Sequence, residues 1–147
     1  MYISKIAEFQ YLQIYYESIV DWKPTTDHLR CNESFHGSER HDHVLVQLED
    51  RNFFACLLHL FEVTVGKQSH ALAYVKSYCR PSGPMRRKDK DLGLYRLQVK
   101  AKQYEIIPLD SVVRGALLVP DSDNPDEYLV VDTIDGDMFL QMKNLVF

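Results

Sequence analysis

The spacing of apolar residues along the chain changes near residue 42. Between residues 4 and 20, apolar side chains recur at intervals of three and four, at Ile6, Phe9, Leu12, Tyr16 and Ile19. This spacing places them on one face of a helix, so we predict an N-terminal α-helix that cannot continue past Pro24. Residues 21–42 are polar and show no period, and we predict an irregular extension there. The helix and extension (1–42) are expected to pack on a β domain (43–147).

From residue 43 the period becomes two, which is typical of β-strands. The run 53–65 is apolar on both alternating faces, and a Gly66-Lys67 turn joins it to the run 69–79. Small residues on one face of that second run, such as Ala71 and Ala73, suit the interior of a small barrel.

Later segments continue the β pattern to the end of the chain. Pro108 interrupts a strand and precedes a predicted helical turn over 109–113, while "EYLVVDTI" and "MFLQM" are predicted as the closing strands around an Asp135-Gly136-Asp137 turn. With about seven strands and no βαβ rhythm, the sequence predicts a mainly β fold. We expect a small curled antiparallel sheet or barrel with an N-terminal α-helix.

The composition is typical of a globular protein: 147 residues, 46% hydrophobic and 26% charged. No apolar run approaches the ~18 residues of a membrane span, and "MYISKIAEFQ" lacks the layout of a signal peptide. The three cysteines are odd in number and widely spaced, and we expect reduced thiols. We therefore predict a nuclear or cytoplasmic protein without a membrane partner.

The net charge of −4 conceals two segments of opposite sign. Residues 76–102 hold nine cations and two acids, and residues 121–137 hold seven acids and no Lys or Arg. The densest basic stretch contributes Arg80, Arg86, Arg87, Lys88 and Lys90. It is either a solvated loop, a contact for an acidic partner, or a partner of the chain's own acidic segment. Its prolines favour an extended loop, so contact with nucleic acid would be directed at phosphate and sensitive to salt.

Two groups of residues raise the question of metal-dependent chemistry. Zinc-ligand types occur at His28, Cys31, His36, His41 and His43, but a single cysteine in that spacing matches no familiar finger. The carboxylates Asp132, Asp135 and Asp137 could hold magnesium in a metal-dependent nuclease, which we keep as the rival hypothesis. Since GxSxG, Walker and GxGxxG motifs are also missing, we predict no enzyme, no cofactor and no metal.

Several aromatic residues lie at the ends of predicted elements or on polar faces. They are Trp22, Tyr74, Tyr78, Tyr95 and Tyr128. Converging rings of this kind can hold a methylated lysine by cation–π attraction. We therefore treat them as candidate recognition residues for a histone tail.

Parts of the sequence resemble known domains. "FFACLLHLFEV", "ALAYVKSYCRP", "YEIIPLDSVVRGALLVP" and "YLVVDTID" resemble the bromo-adjacent homology (BAH) domain over about residues 43–140. "DWKPTTDHLRC", "FHG…RHDHVLV" and "RRKDKDLGLYR" resemble uncharacterised, transposon-associated domains of mushroom-forming fungi over nearly the whole chain. The first resemblance implies a non-catalytic chromatin module, and the second implies a transposon-derived, nuclear origin.

These resemblances imply an interaction module that binds nucleosomal DNA, a histone tail or another acidic partner. The basic stretch would then be a variable insertion between strands. A structural or dimerisation domain is the third hypothesis, in which the predicted helix 4–20 pairs with a second copy.

Overall fold

The computed structural model of this protein describes residues 3–35, 37–79, 93–99 and 103–144. These ranges contain twelve strands and one α-helix. In chain order they are β1 (Ile3–Phe9), β2 (Tyr11–Glu17), β3 (Pro24–Phe35), β4 (Ser38–His41), β5 (His43–Gln47), β6 (Asn52–Val65), β7 (Gln68–Ser77), β8 (Tyr95–Gln98), β9 (Tyr104–Pro108), β10 (Val112–Ala116), β11 (Leu118–Pro120), β12 (Glu127–Val130) and α1 (Gly136–Asn144). No helix in these ranges is long and apolar enough to cross a membrane.

The strands form three antiparallel sheets. The largest has the order β10-β5-β6-β7-β9, with β1 also paired to β6, and the smaller ones have the orders β11-β12-β8 and β2-β3-β4. The prediction of a mainly β, antiparallel fold is confirmed. None of the sheets closes into a barrel, and the described residues hold more strands than the seven expected.

The predicted N-terminal helix is wrong, because residues 3–17 form β1 and β2. Leu12, Ile14 and Tyr16 also alternate at period two, and these partly buried side chains lie between exposed neighbours. β-Branched and aromatic residues suit this half-buried strand surface. The expected irregular extension is also wrong, since it contains β3 and β4. A dimer interface formed by a helix at 4–20 is therefore excluded.

A β-bulge at Leu58 decides which side chains of the long strand β6 face the core. The register with β7 shifts between Leu57 and His59. The extra residue reverses the alternation, so Leu57 and Leu60 face the same side although they are three positions apart. The sequence pattern had placed them on opposite faces, because a strict period of two carries no sign of a bulge.

The two faces of the large sheet pack into two clusters. The first cluster joins this sheet to β3 and comprises Leu29, Cys31, Val44, Val46, Phe53, Ala55, Leu57, Leu60, Ala73, Val75, Ile107 and Val112. The second cluster joins the opposite face to the β11-β12-β8 sheet and α1, and comprises Leu45, Phe54, Tyr78, Leu97, Leu118, Val130, Met138 and Met142. Phe54 and Leu57 belong to different clusters, as expected for a strand buried on both faces.

The C-terminal part forms a helix where a strand was predicted. Asp135 accepts a hydrogen bond from the Met138 backbone N–H at 2.7 Å, which satisfies one of the free donors at the start of α1. Met138 and Met142 lie one turn apart and are both buried. Asp135-Gly136-Asp137 is therefore a helix start and not a hairpin turn. The turn at Gly66 is confirmed. The helical turn predicted over 109–113 is confirmed over Leu109–Ser111, whereas Val112 and Val113 belong to β10.

Candidate interaction sites

The basic stretch Arg80, Arg86, Arg87, Lys88 and Lys90 lies outside the described residues. The chain on either side of it is described. Cys79 and Gln98 exchange two backbone hydrogen bonds, of 3.0 and 2.7 Å, in an isolated antiparallel bridge. Tyr78 and Leu97, which flank this bridge, are both in the second cluster. Both flanks of the basic stretch are therefore held against a packed core.

Charge is divided unevenly along the chain. Residues 80–91 hold five Lys or Arg against two Asp, a net charge of +3. The other residues hold twelve Lys or Arg against nineteen Asp or Glu, a net charge of −7, and the two values add to −4. The chain outside the basic stretch is thus a strongly acidic scaffold.

Several cations of this scaffold are engaged by its own carboxylates. Arg96 donates to both Asp121 and, at 2.9 Å, Glu127. Hydrogen bonds from Asn124 and Arg96 lower the pKa of Asp121 to about 2. Further ion pairs join Arg40 to Asp42, Arg51 to Glu105 and Lys23 to Asp21.

The acidic segment 121–137 is largely occupied by contacts within the described residues. Asp121 and Glu127 bind Arg96, Asp135 binds Arg114, and Asp137 accepts a hydrogen bond from the Ile19 backbone N–H. Asp132 is buried, whereas Asp123 and Asp126 are exposed. Four of the seven acids therefore already have partners.

Arg114 on β10 is one of the most deeply buried charged residues that the structure describes, with a side chain 4% exposed. It donates two hydrogen bonds to Asp135, at 3.1 and 2.8 Å, and its Nε lies 3.8 Å from Asp27. Asp27 also accepts the Gly115 backbone N–H at 2.8 Å and the Tyr16 hydroxyl at 3.4 Å. Burial raises the pKa of Tyr16 to about 12. This cluster fastens β2, β3 and the start of α1 to the large sheet.

The three carboxylates of the nuclease hypothesis have separate environments. Arg114 lowers the pKa of Asp135 through its hydrogen bonds, Asp137 binds the backbone of the β2–β3 turn, and Asp132 is buried. The residues that the structure describes contain no group of three or more His, Cys, Asp or Glu that could hold a metal ion. The arrangement thus offers no site that supports this hypothesis.

The candidate zinc ligands are also dispersed among different partners. Cys31 lies 3.6 Å from Nδ1 of His41, while His28 contacts Tyr11 and His43 contacts Tyr78. His36 lies outside the described residues. The three cysteines, all of which are described, form no disulfide. Burial raises the pKa of Cys56 to about 11, which disfavours a thiolate nucleophile.

Of the five candidate recognition aromatics, Tyr78 and Tyr128 come together. Their ring centroids lie 5.2 Å apart, and both rings contact His43, whose Nε2 is 3.0 Å from the Tyr78 hydroxyl. Burial lowers the pKa of His43 and raises that of Tyr78. Because Tyr78 is only 6% exposed, this group is a core network and not an open cage.

Among the described residues, the other three candidates do not form an open cage either, because each has a different environment. Tyr95 packs against the second cluster. Trp22 lies in the β2–β3 turn, where it is 71% exposed and has a left-handed φ of 59°. Tyr74 lies on β7, where it stacks against His59 and Tyr104. Sequence reasoning missed those two stacking partners, because the bulge in β6 and the β7–β9 register bring them together.

The fold and these contacts define a mainly β protein built from three open antiparallel sheets. Comparisons with known proteins found no matching family model, no significantly similar curated protein and no significantly similar solved structure.

Proposed function

We propose that this chain is a non-catalytic interaction module that binds DNA phosphate through Arg80, Arg86, Arg87, Lys88 and Lys90. The distribution of charge supports this proposal. Residues 80–91 carry a net charge of +3, whereas the rest of the chain carries −7. Cations concentrated in one short stretch repel one another, and a polyanion relieves that repulsion while releasing its counterions.

The main competing explanation is that the acidic segment of the same chain neutralises the basic stretch. The contacts of that segment argue against it, because Asp121, Glu127, Asp135 and Asp137 already bind other groups. Asp123 and Asp126 are the exposed acids of this segment. The basic stretch has Asp89 and Asp91 beside its five cations, so residues 80–91 carry +3. Two exposed acids do not balance this charge, so an external anion is favoured.

The setting of this function follows from the resemblances in the sequence. A BAH-like domain would work in the nucleus on chromatin, and a transposon-associated domain would meet DNA directly. We favour DNA over a histone tail because Tyr78, the centre of the aromatic group, is buried. The nuclease alternative draws no support from Asp135, since its carboxylate is engaged by Arg114.

A binding experiment with a matched control tests the proposal. Fluorescence anisotropy with a labelled DNA duplex, measured over a range of salt, gives the affinity and its salt slope. Replacing Arg86, Arg87 and Lys88 with alanine should weaken binding and reduce the slope of log K against log salt by about 3, roughly one per lost phosphate contact. Replacing Lys5, Lys23 and Lys67, which are exposed on the scaffold, removes the same charge and should change the slope much less.

Two results would contradict the proposal. One is the absence of duplex binding at low salt, and the other is an equal loss in both triple variants, which would indicate a response to net charge alone. Cleavage of the duplex on addition of magnesium would instead support the nuclease alternative.

A further inference from the structure

The face of the large sheet that contacts the second cluster is covered unevenly. Phe54 lies in this cluster, on the part of β6 before the bulge. Beyond the bulge the same face presents Ile6 of β1 and Ile106 of β9, which are 63% and 62% exposed and lie on either side of the β6–β7 pair. Large apolar side chains left exposed on the face of a sheet can mark an interaction surface.

A row of three rings crosses this exposed part. His59 on β6 stacks on Tyr74 of β7, with centroids 6.1 Å apart and planes inclined by 18°. Tyr74 stacks in turn on Tyr104 of β9, at 5.7 Å and 24°. Among the described residues the row ends at Tyr104. This side chain is 47% exposed and lies on β9, the last strand in the order of the sheet.

The charges beside this row are suited to an anion. Lys76 is directly opposite Tyr104 in the β7–β9 register and shares its face of the sheet. The carboxylate of Glu8 is 2.8 Å from Nδ1 of His59, so this acid already has a partner.

We propose that this surface binds single-stranded nucleic acid, with a base stacked on Tyr104, at the exposed end of the row, and a phosphate beside Lys76. Every base has a π face, so exposed rings on a sheet bind single strands without a strict sequence preference. In a duplex those faces are already stacked on one another. The residues of this surface differ from those of the basic stretch, so a substitution at Tyr104 tests this surface independently of duplex binding.

Single-stranded nucleic acid fits this surface better than a second copy of the chain does. A copy packed against it would remove Lys76 and the Glu8–His59 pair from water, and burying a charge without a partner costs free energy. A phosphate would keep the ammonium of Lys76 paired. The stack would also continue past Tyr104 with a base.

Fluorescence anisotropy with a labelled oligothymidylate, which forms no stable secondary structure, tests the proposal. Tyr104→Ala should weaken binding at least about fivefold, the loss expected for one stacked base, and Tyr104→Trp should preserve it. Tyr15→Ala removes an equally large ring, 74% exposed on β2 of another sheet, and should bind like the wild type. Circular dichroism of each variant confirms that the fold is intact.

The same variants with a duplex separate this proposal from the preceding one. Tyr104→Ala should leave duplex affinity unchanged, and a wild-type chain that binds oligothymidylate but no duplex would support this surface alone. Wild-type affinity for oligothymidylate in Tyr104→Ala would overturn the proposal. So would light scattering that shows a wild-type dimer and a monomeric Tyr104→Ala, because a second copy would then occupy the surface.

Discussion

Replacing Arg114 with methionine tests whether the buried ion cluster holds the three parts of the fold together. The guanidinium is 4% exposed and binds Asp135 through two hydrogen bonds, with Asp27 at 3.8 Å. Methionine is similar in length and adapts to irregular space, but it leaves both carboxylates without their cation. The β2–β3 hairpin and the start of α1 lose a common attachment to β10.

The expected cost can be worked out from burial. Removing one partner of a fully buried ion pair typically costs about 3–5 kcal/mol. The side chains of Asp135 and Asp27 are 41% and 20% exposed, so water solvates part of the charge that remains. We therefore expect Arg114→Met to lower the free energy of unfolding by about 2–3 kcal/mol.

Urea unfolding followed by circular dichroism measures this difference. With a slope near 2 kcal/mol per molar urea, the midpoint should fall by about 1–1.5 M. Arg51→Met is a matched control, because the Arg51–Glu105 pair is more exposed (47% and 28%) and should contribute about 1 kcal/mol or less.

A double-mutant cycle that combines Arg114→Met with Asp135→Asn measures the coupling free energy between these two side chains. Since Arg114 and Asp135 are in direct contact, their effects should not add, and the coupling free energy should exceed about 1 kcal/mol. An unchanged midpoint in Arg114→Met, or strictly additive effects, would show that the cluster does not stabilise the fold as argued.

Two further predictions concern backbone strain and pH. Trp22→Gly should stabilise the protein by about 0.5–1 kcal/mol, because relief of the left-handed φ (about 1–2 kcal/mol) exceeds the entropy cost of glycine, and the ring is 71% exposed. Trp22→Ala keeps the strain and should show no such gain in urea unfolding. Because burial lowers the pKa of His43 below 6.5, its contribution to stability is complete above pH 6.5 and declines as the pH falls through its folded-state pKa. Wild-type stability should therefore fall more steeply below pH 6.5 than that of His43→Leu, and parallel curves would refute this.

The sequence pattern predicted the correct elements where the apolar residues fit the strand spacing and did not fit the helical spacing. The alternation after residue 43 correctly predicted the central strands, and Gly66, with a φ of 63°, marks the turn between β6 and β7. Positive φ is readily adopted by glycine, so this turn is visible in the sequence. Pro108 likewise marked the boundary before the helical turn at Leu109–Ser111.

The sequence pattern predicted the wrong element where the apolar residues fit both the helical spacing and the strand spacing. Ile6, Phe9 and Leu12 follow a helical spacing, while Leu12, Ile14 and Tyr16 follow a strand spacing. The hydrogen-bond partners decide between them: β1 pairs with the end of β6 more than fifty residues away, and β2 pairs with β3. At the other end, capping by Asp135 and burial of Met138 against the second cluster selected a helix.

The sequence by itself determined the antiparallel β character and the opposite charges of its basic and acidic segments, because periodicity and composition are local properties that no partner can alter. Tertiary structure alone decided which acids are already neutralised and which rings meet. His59 and Tyr104 are 45 positions apart, and one extra residue at Leu58 sets which face of β6 carries His59. Such a bulge depends on pairing between strands, and pairing is a property of the folded chain.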